Sequence, residues 1–254
     1  LLVFAYHPLL RWMFPMVVAL LASAATWEYE QFVKAKGGQI ITPVLLAVAF
    51  FEVIAFALPD PVRGWPFWFF FAAFLLLFAL HFRQKEGAIV DLAVSSFGLL
   101  YIAVPMGMIV GILHHAPDAT GRFWVIYLIS VTKITDVAAY FAGSLWGKRK
   151  LAPMISPGKT VEGAVFGLIS AIGMSFIFFL FADGSMTGRY DWLWLGLVLG
   201  LTSQFGDLSE SLLKRDANKK DSNAIPGLGG VLDSVDSLLF NAPLVYLYLN
   251  NWRV

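Results

Sequence analysis

The sequence predicts an all-α, polytopic integral membrane protein with about eight to nine transmembrane helices. Hydrophobic residues make up 59% of its 254 positions, and the mean hydropathy is +0.73. A soluble domain of this length is far less apolar, so composition alone indicates a membrane protein. The formal net charge is only +1, which argues against a polyanionic partner such as nucleic acid.

Eight apolar segments have about the length that crosses a hydrocarbon core of about 30 Å as a helix. In chain order they are residues 12–27, 40–58, 65–82, 88–113, 122–145, 161–182, 192–209 and 231–250. Residues 1–6 are apolar but too short to span, and we interpret them as the end of a truncated ninth helix. Polar motifs are concentrated in residues 120–254, whereas residues 1–119 are predicted to form a transmembrane scaffold.

The distribution of basic residues predicts the orientation in the membrane. One set of alternate loops carries twelve: Lys34, Lys36, Arg83, Lys85, Lys148, Arg149, Lys150, Lys159, Lys214, Arg215, Lys219 and Lys220. The opposite set carries five: Arg11, Arg63, Arg122, Arg189 and Arg253. Because loops rich in Lys and Arg stay inside, the first set is predicted to be cytoplasmic.

The run of residues 207–236 is the most charged part of the chain. It holds Asp207, Glu210, Lys214, Arg215, Asp216, Lys219, Lys220, Asp221, Asp233 and Asp236, between two apolar segments. A carboxylate placed in a bilayer costs roughly 3 kcal/mol, so such residues are functional candidates. Spacings of three and four residues put Gly200, Ser203, Gln204, Asp207, Glu210, Ser211 and Lys214 on one helix face.

Asp233 and Asp236 are three residues apart near the start of the last helix, so both side chains point the same way. Asp207 lies on the preceding helix. Carboxylates on two facing helices are ligands that Mg²⁺ prefers. We therefore predict that Asp207, Asp233 and Asp236 bind one Mg²⁺ or a pair of cations. The alternative is a set of solvated charges at a helix end.

Two further groups of residues predict phosphate binding. Pro226, Gly227, Gly229 and Gly230 precede the last helix, where glycine backbone and a helix N-terminus favour anions, although a plain turn is the alternative. The loop after the fifth span carries Lys148, Ser156, Lys159 and Thr160. A positive-inside anchor would explain the run 148–150 but not the element SPGKT at 156–160.

The fifth span contains a polar patch at Thr132, Lys133, Thr135, Asp136 and Tyr140. Asp136 shares a face with Ala139, Tyr140 and Gly143, whose small members allow another helix to pack closely. Asp136 is thus a candidate site residue, and its pairing with Lys133, three residues away, is the alternative.

Four ordered blocks resemble the phosphatidate cytidylyltransferases, also called CDP-diacylglycerol synthases. They are residues 135–148 (TDVAAYFAGSLWGK), 155–163 (ISPGKTVEG), 204–207 (QFGD) and the signature positions between Ser211 and Asp236. The chain departs from the family pattern at Leu228, where His is usual, and at Ser234, where Arg is usual. The spacer between Asp221 and Pro226 is also one residue short.

The resemblance implies that CTP and phosphatidate react to CDP-diacylglycerol and pyrophosphate at the cytoplasmic face of a bacterial inner membrane. The implied catalytic residues are Asp136, Asp207, Lys214, Arg215, Lys220 and Asp221. Membrane lipids are the other expected partners, no nucleic acid is expected, and a homodimer is left open. The rival hypothesis is a cation-coupled transporter whose pathway is lined by Lys133, Asp136, Gln204 and Asp207. A CDP-alcohol phosphatidyltransferase is disfavoured because its DG-x2-AR pattern is missing.

Overall fold

The computed structural model describes residues 13–58, 64–82, 86–114, 118–182, 186, 188–219 and 230–251. Its helices are α1 (Met13–Ala35), α2 (Thr42–Ala55), α3 (Trp65–His81), α4 (Ala88–Gly98), α5 (Val104–His114), α6 (Asp118–Trp146), α7 (Val161–Leu180), α8 (Asp191–Asp216) and α9 (Val231–Asn251). A π-helical turn, Leu99–Ala103, joins α4 and α5 into one continuous helix. A helix therefore lies at each of the eight predicted segments. Residues 1–6 fall outside the described part.

Three of the described helices are long and apolar enough to cross a membrane: Ala88–His114, Thr120–Trp146 and Val161–Leu180. α2 and α3 are apolar but shorter. α3 buries only Ala73, Leu77 and His81, and it exposes large aromatic side chains such as those of Phe67 and Trp68. A helix that exposes so much apolar surface is suited to lipid. The all-α membrane class is confirmed, while the count of eight to nine spans stays a prediction.

The C-terminal helices pack through glycines. A Cβ on Gly163 of α7 would lie 2.5 Å from the Ala139 carbonyl oxygen of α6, so the two backbones touch. A Cβ on Gly206 of α8 would lie 2.8 Å from the Asp236 carbonyl oxygen of α9. The predicted close packing on the Ala139 face of α6 is therefore present. The second contact brings the acidic segments of α8 and α9 side by side.

A small β-hairpin interrupts the helical fold and was not predicted. Its antiparallel strands are β1 (Lys150–Ala152) and β2 (Ser156–Thr160), with Lys150 opposite Thr160. The Glu162 carboxylate accepts hydrogen bonds from the backbone N–H groups of Lys148 at 3.0 Å and Arg149 at 3.1 Å. These contacts tie the hairpin to the start of α7.

A buried polar chain links three helices in the bundle interior. Thr202 of α8 donates to the Asn241 side-chain oxygen at 2.5 Å, and the Asn241 amide donates to Thr132 of α6 at 2.9 Å. Asn241 belongs to α9 and is fully buried. Since buried polar groups are costly when unpaired, these bonds favour a single relative arrangement of α6, α8 and α9.

Candidate active site

An acidic cluster lies where α8 meets α9. Glu210, Asp233 and Asp236 each offer a carboxylate oxygen, and these three atoms lie within 4.8 Å of one another. Glu210 and Asp236 are buried, whereas the Asp233 side chain is 49% exposed. Hard oxygen donors at this spacing fit Mg²⁺, which also retains water or phosphate ligands.

Lys214 provides the positive charge next to this acidic cluster. Its Nζ lies 2.6 Å from Asp233 Oδ1 and 2.5 Å from Glu210 Oε2. Three carboxylates against one ammonium leave a formal charge of −2 when all are ionised. That excess of negative charge favours a divalent cation.

Glu210 and Lys214 lie beyond position 209, where the predicted span ends, and burial affects the pKa of both. Burial raises the pKa of the Glu210 carboxyl to about 7, although Lys214 opposes the rise. Burial also lowers the pKa of Lys214, but its bonds to Asp233 and Glu210 outweigh that effect and raise the pKa above its ordinary value. Lys214 therefore stays charged at neutral pH.

Asp207 lies one helical turn before Glu210 and faces the hairpin. Its Oδ2 is 2.7 Å from the Nζ of Lys159 on β2. It is also close enough to Asp236 for the two carboxylates to interact electrostatically. The structure thus places Asp207 beside the acidic cluster, paired with a lysine, and Glu210 takes the nearest position to Asp233 and Asp236. Cation binding by Asp207 stays a prediction.

A cavity of about 370 Å³ with several polar side chains in its wall opens next to the acidic cluster. Its walls include Asp136, Ser156, Lys159, Thr160, Gln204 and Asp207, with small residues of α6 and α7 between them. Such a volume is within the usual range for small-molecule sites. Three of the four sequence blocks therefore contribute to the cavity, and the fourth supplies Asp233 and Asp236 of the adjoining cluster.

Asp136 is held firmly in the wall of this cavity. Its Oδ1 accepts hydrogen bonds from Ser203 at 3.1 Å and Ser237 at 3.3 Å. Lys133 lies 3.6 Å from its Oδ2 and donates to the Ser234 carbonyl oxygen at 2.9 Å. The alternative pairing of Lys133 with Asp136 is present, and it connects α6 to the first turn of α9.

The model of the cytidylyltransferase family matches residues 1–252 of the chain. The chain belongs to the cytidylyltransferase family. This finding confirms the family resemblance of the four sequence blocks.

Individual relatives in the family carry the name phosphatidate cytidylyltransferase. That of Chlamydia pneumoniae is 33% identical over 259 residues, covering 95% of this chain and 84% of the relative. That of Synechocystis sp. is 30% identical over 268 residues, covering 94% and 88%. The Chlamydia muridarum protein is 38% identical over 193 residues, covering 73% of this chain and 63% of the relative. The chain thus matches less than two thirds of the length of this last relative.

The other predicted site residues have mixed positions. Arg215 donates from Nε to the Ile155 carbonyl oxygen at 3.0 Å, which ties α8 to the hairpin. Thr160 lines the cavity and also caps α7, since its Oγ1 accepts from the Gly163 N–H at 3.2 Å. The backbone N–H of Lys148 donates to the Glu162 carboxylate. The Gly230 carbonyl oxygen accepts from the backbone N–H and the hydroxyl of Ser234 at the start of α9. Lys220, Asp221, Gly227 and Gly229 lie outside the described residues, as does Leu228.

Two residues of the N-terminal region reach this site, and neither was predicted from the sequence. The Glu28 carboxylate of α1 accepts from the N–H groups of Val231 and Leu232, each at 2.8 Å. The Tyr101 hydroxyl is buried, has no hydrogen-bond partner among the described residues, and interacts electrostatically with Asp236 and Glu210. Its place just after an apolar segment was the only local signal for Glu28, and Glu30 shares that signal. For Tyr101 there was none.

Proposed function

We propose that the protein transfers the cytidylyl group of CTP to phosphatidate, giving CDP-diacylglycerol and pyrophosphate. The observation that carries the proposal is the acidic cluster, with Lys214, beside a cavity whose wall holds the Lys159–Asp207 pair. A cation site adjoining a cavity whose wall carries a lysine suits a triphosphate. Membership of the family and the names of the relatives support the same reaction.

Residues 120–254 would form the catalytic region and residues 1–119 most of the scaffold. All eight helical segments would cross the bacterial inner membrane, with the acidic cluster at the cytoplasmic face. The twelve-to-five distribution of basic residues supports this orientation. A soluble nucleotide and a lipid phosphate could then meet at the boundary between cytoplasm and bilayer. A second copy of the chain is a candidate partner.

Glu210, Asp233 and Asp236 would hold Mg²⁺, alone or with a second cation, and Asp207 is the further predicted ligand. When bound, the cation supplies positive charge to the triphosphate oxygens and to the leaving pyrophosphate. Lys214 keeps the acidic cluster from repelling the substrate by neutralising part of its charge. The residues present thus provide the hard oxygen ligands that Mg²⁺ requires.

In the proposed reaction, a phosphate oxygen of phosphatidate attacks the α-phosphorus of CTP. The bond from that phosphorus to the oxygen bridging the β-phosphate breaks, and pyrophosphate leaves with the electron pair. A phosphate monoester is largely a dianion at neutral pH, since its second pKa is about 6, so no side chain needs to remove a proton.

Substrate phosphates would be held by basic residues around the cavity, which reduces the entropic cost of bringing two anions together. Lys159 is the cation in the described wall, and Asp207 orients it. Asp136 would act as an orienting residue, because Lys133, Ser203 and Ser237 fix it. Lys148, Arg215 and Lys220 are further candidates for phosphate contact, and Asp221 is a candidate orienter.

The test is release of pyrophosphate by the purified protein. We expect release only when CTP, phosphatidate and Mg²⁺ are all present. Diacylglycerol is the matched control lipid, because it lacks the attacking phosphate and should give no release. A protein that binds CTP and phosphatidate but releases no pyrophosphate with Mg²⁺ would contradict the enzyme and favour the transporter.

The proposed orientation can be tested by labelling, because the chain contains no cysteine. Met154 in the hairpin turn is 93% exposed, and Tyr190 before α8 is also exposed. In sealed inverted vesicles, a membrane-impermeant thiol reagent should label Met154→Cys at once and Tyr190→Cys only after detergent is added. Equal labelling of both variants before detergent would show that the orientation is wrong.

A further inference from the structure

Glu28 is a buried acid that belongs to α1 yet contacts the far end of the chain. The residue is 1% exposed. Oε1 accepts from the Val231 N–H and Oε2 from the Leu232 N–H, both at 2.8 Å. Both oxygens of the carboxylate are therefore used on the first turn of α9.

This contact matters because it lies directly before two acids of the cluster in the sequence. The first N–H groups of a helix have no partner within the helix, and a carboxylate is a favourable acceptor for them. Asp233 is the next residue after Leu232, and Asp236 lies one turn further along. Fixing the first turn of α9 therefore fixes the backbone that carries two of the three acids in the cluster.

The same segment of α1 also contacts the residues that follow α8. Lys219, three residues beyond the end of α8, donates to the Gln31 carbonyl oxygen at 3.2 Å. α8 carries Glu210, the third acid of the cluster. α1 is thus a common support for the residues that follow α8 and the start of α9.

We propose that Glu28 is a positioning residue of the cation site: its carboxylate fixes the first turn of α9 and so sets the places of Asp233 and Asp236. The inference rests on the proposed function, in that the acidic cluster is taken to bind the cation. It assigns part of the site to the N-terminal region. Glu28 itself touches neither substrate nor cation in this role.

The variant that tests this role is Glu28→Gln, and Glu30→Gln is its matched control. Glu30 lies two residues away on the same helix and is also 1% exposed. It contacts Thr42 and Lys34 rather than α9. Both variants remove one buried negative charge from α1, so a general loss of stability should appear in both.

Binding of Mn²⁺ to the full chain in detergent micelles is the first readout. We expect Glu28→Gln to weaken Mn²⁺ affinity about ten-fold or more, the usual effect of losing support behind a metal ligand. Glu30→Gln should keep the affinity of the wild type. Equal affinities for Glu28→Gln and the wild type would overturn the inference alone. A wild type that binds no Mn²⁺ would overturn the proposed cation site as well.

Hydrogen exchange gives a readout that needs no cation. The amides of Val231 and Leu232 should exchange about five-fold faster or more in Glu28→Gln, as for a lost helix cap, and at the wild-type rate in Glu30→Gln. Unchanged protection of both amides in Glu28→Gln would overturn the inference. If Glu28→Gln does not fold, Glu28→Asp keeps the charge but shortens the reach by one methylene, and it should also weaken Mn²⁺ binding.

Discussion

Replacing Asp233 with asparagine should lower the rate of cytidylyl transfer by roughly 10² to 10³-fold, the usual loss when one electrostatic contact to the transition state is removed. The variant removes one negative charge from the acidic cluster and leaves Lys214 with Glu210 alone. The fold should survive, because the Asp233 side chain is 49% exposed. Initial rates of pyrophosphate release at saturating substrates measure the effect.

Asp216→Asn is the matched control for this prediction. Asp216 lies at the end of α8, is exposed and pairs with Lys36 rather than with the acidic cluster. We expect its activity to stay within about two-fold of the wild type, as for a surface ion pair. A variant Asp233→Asn that keeps more than a tenth of the wild-type rate would argue against Asp233 as a cation ligand.

Replacing Lys214 with methionine should reduce both stability and activity. The change leaves the buried Glu210 carboxylate without its ion pair, and breaking a buried pair costs about 3 kcal/mol. Because Lys214 also contacts Asp233, we expect a loss of activity of about 10²-fold. Thermal unfolding and initial rates measure the two effects.

The loss of stability in Lys214→Met should depend on pH. Burial already raises the pKa of Glu210 to about 7, and removing the ammonium raises it further. A carboxyl whose pKa is raised by folding favours the folded state while it is protonated. That contribution to stability is lost as the pH rises through the raised pKa. Destabilisation should therefore be larger at pH 8 than at pH 5.

Lys34→Met provides the control for this variant, because Lys34 pairs with the buried Glu30 at the same 2.5 Å and the same spacing of four residues. It should lose stability without the large loss of activity. Equal activity losses in the two lysine variants would show that the effect of Lys214 is structural rather than local to the acidic cluster.

The helices were predictable because each one contains a long apolar run, and a helix is found at all eight runs. The hairpin was not, because β1 has three residues and β2 five. Strands this short show no clear alternation, and Pro157 and Gly158 within β2 are typical of a turn. Contacts with Glu162 and Arg215 connect it to α7 and α8.

The acids of the site were predictable in part. Spacing put Asp207 and Glu210 on one face of α8, and Asp233 and Asp236 on one face of α9. Which acid of α8 lies nearest to α9 depends on the rotation of the two helices, which the contact at Gly206 sets. Periodicity within one helix holds no information on that rotation. The contact of Glu28 with Val231 joins residues 203 positions apart, so no local pattern could predict it.

The contact between Glu28 and the first turn of α9 also sets an order for biosynthesis. The two partners are separated by 203 residues, which takes roughly 10 to 40 s to translate at typical rates. During that interval α1 carries an acid whose N–H donors have not yet been made, beside a bilayer that disfavours its charge. The last helix therefore completes the burial of the first, and a chain that ends before Val231 would lose both aspartates and leave Glu28 without the N–H groups that bind it.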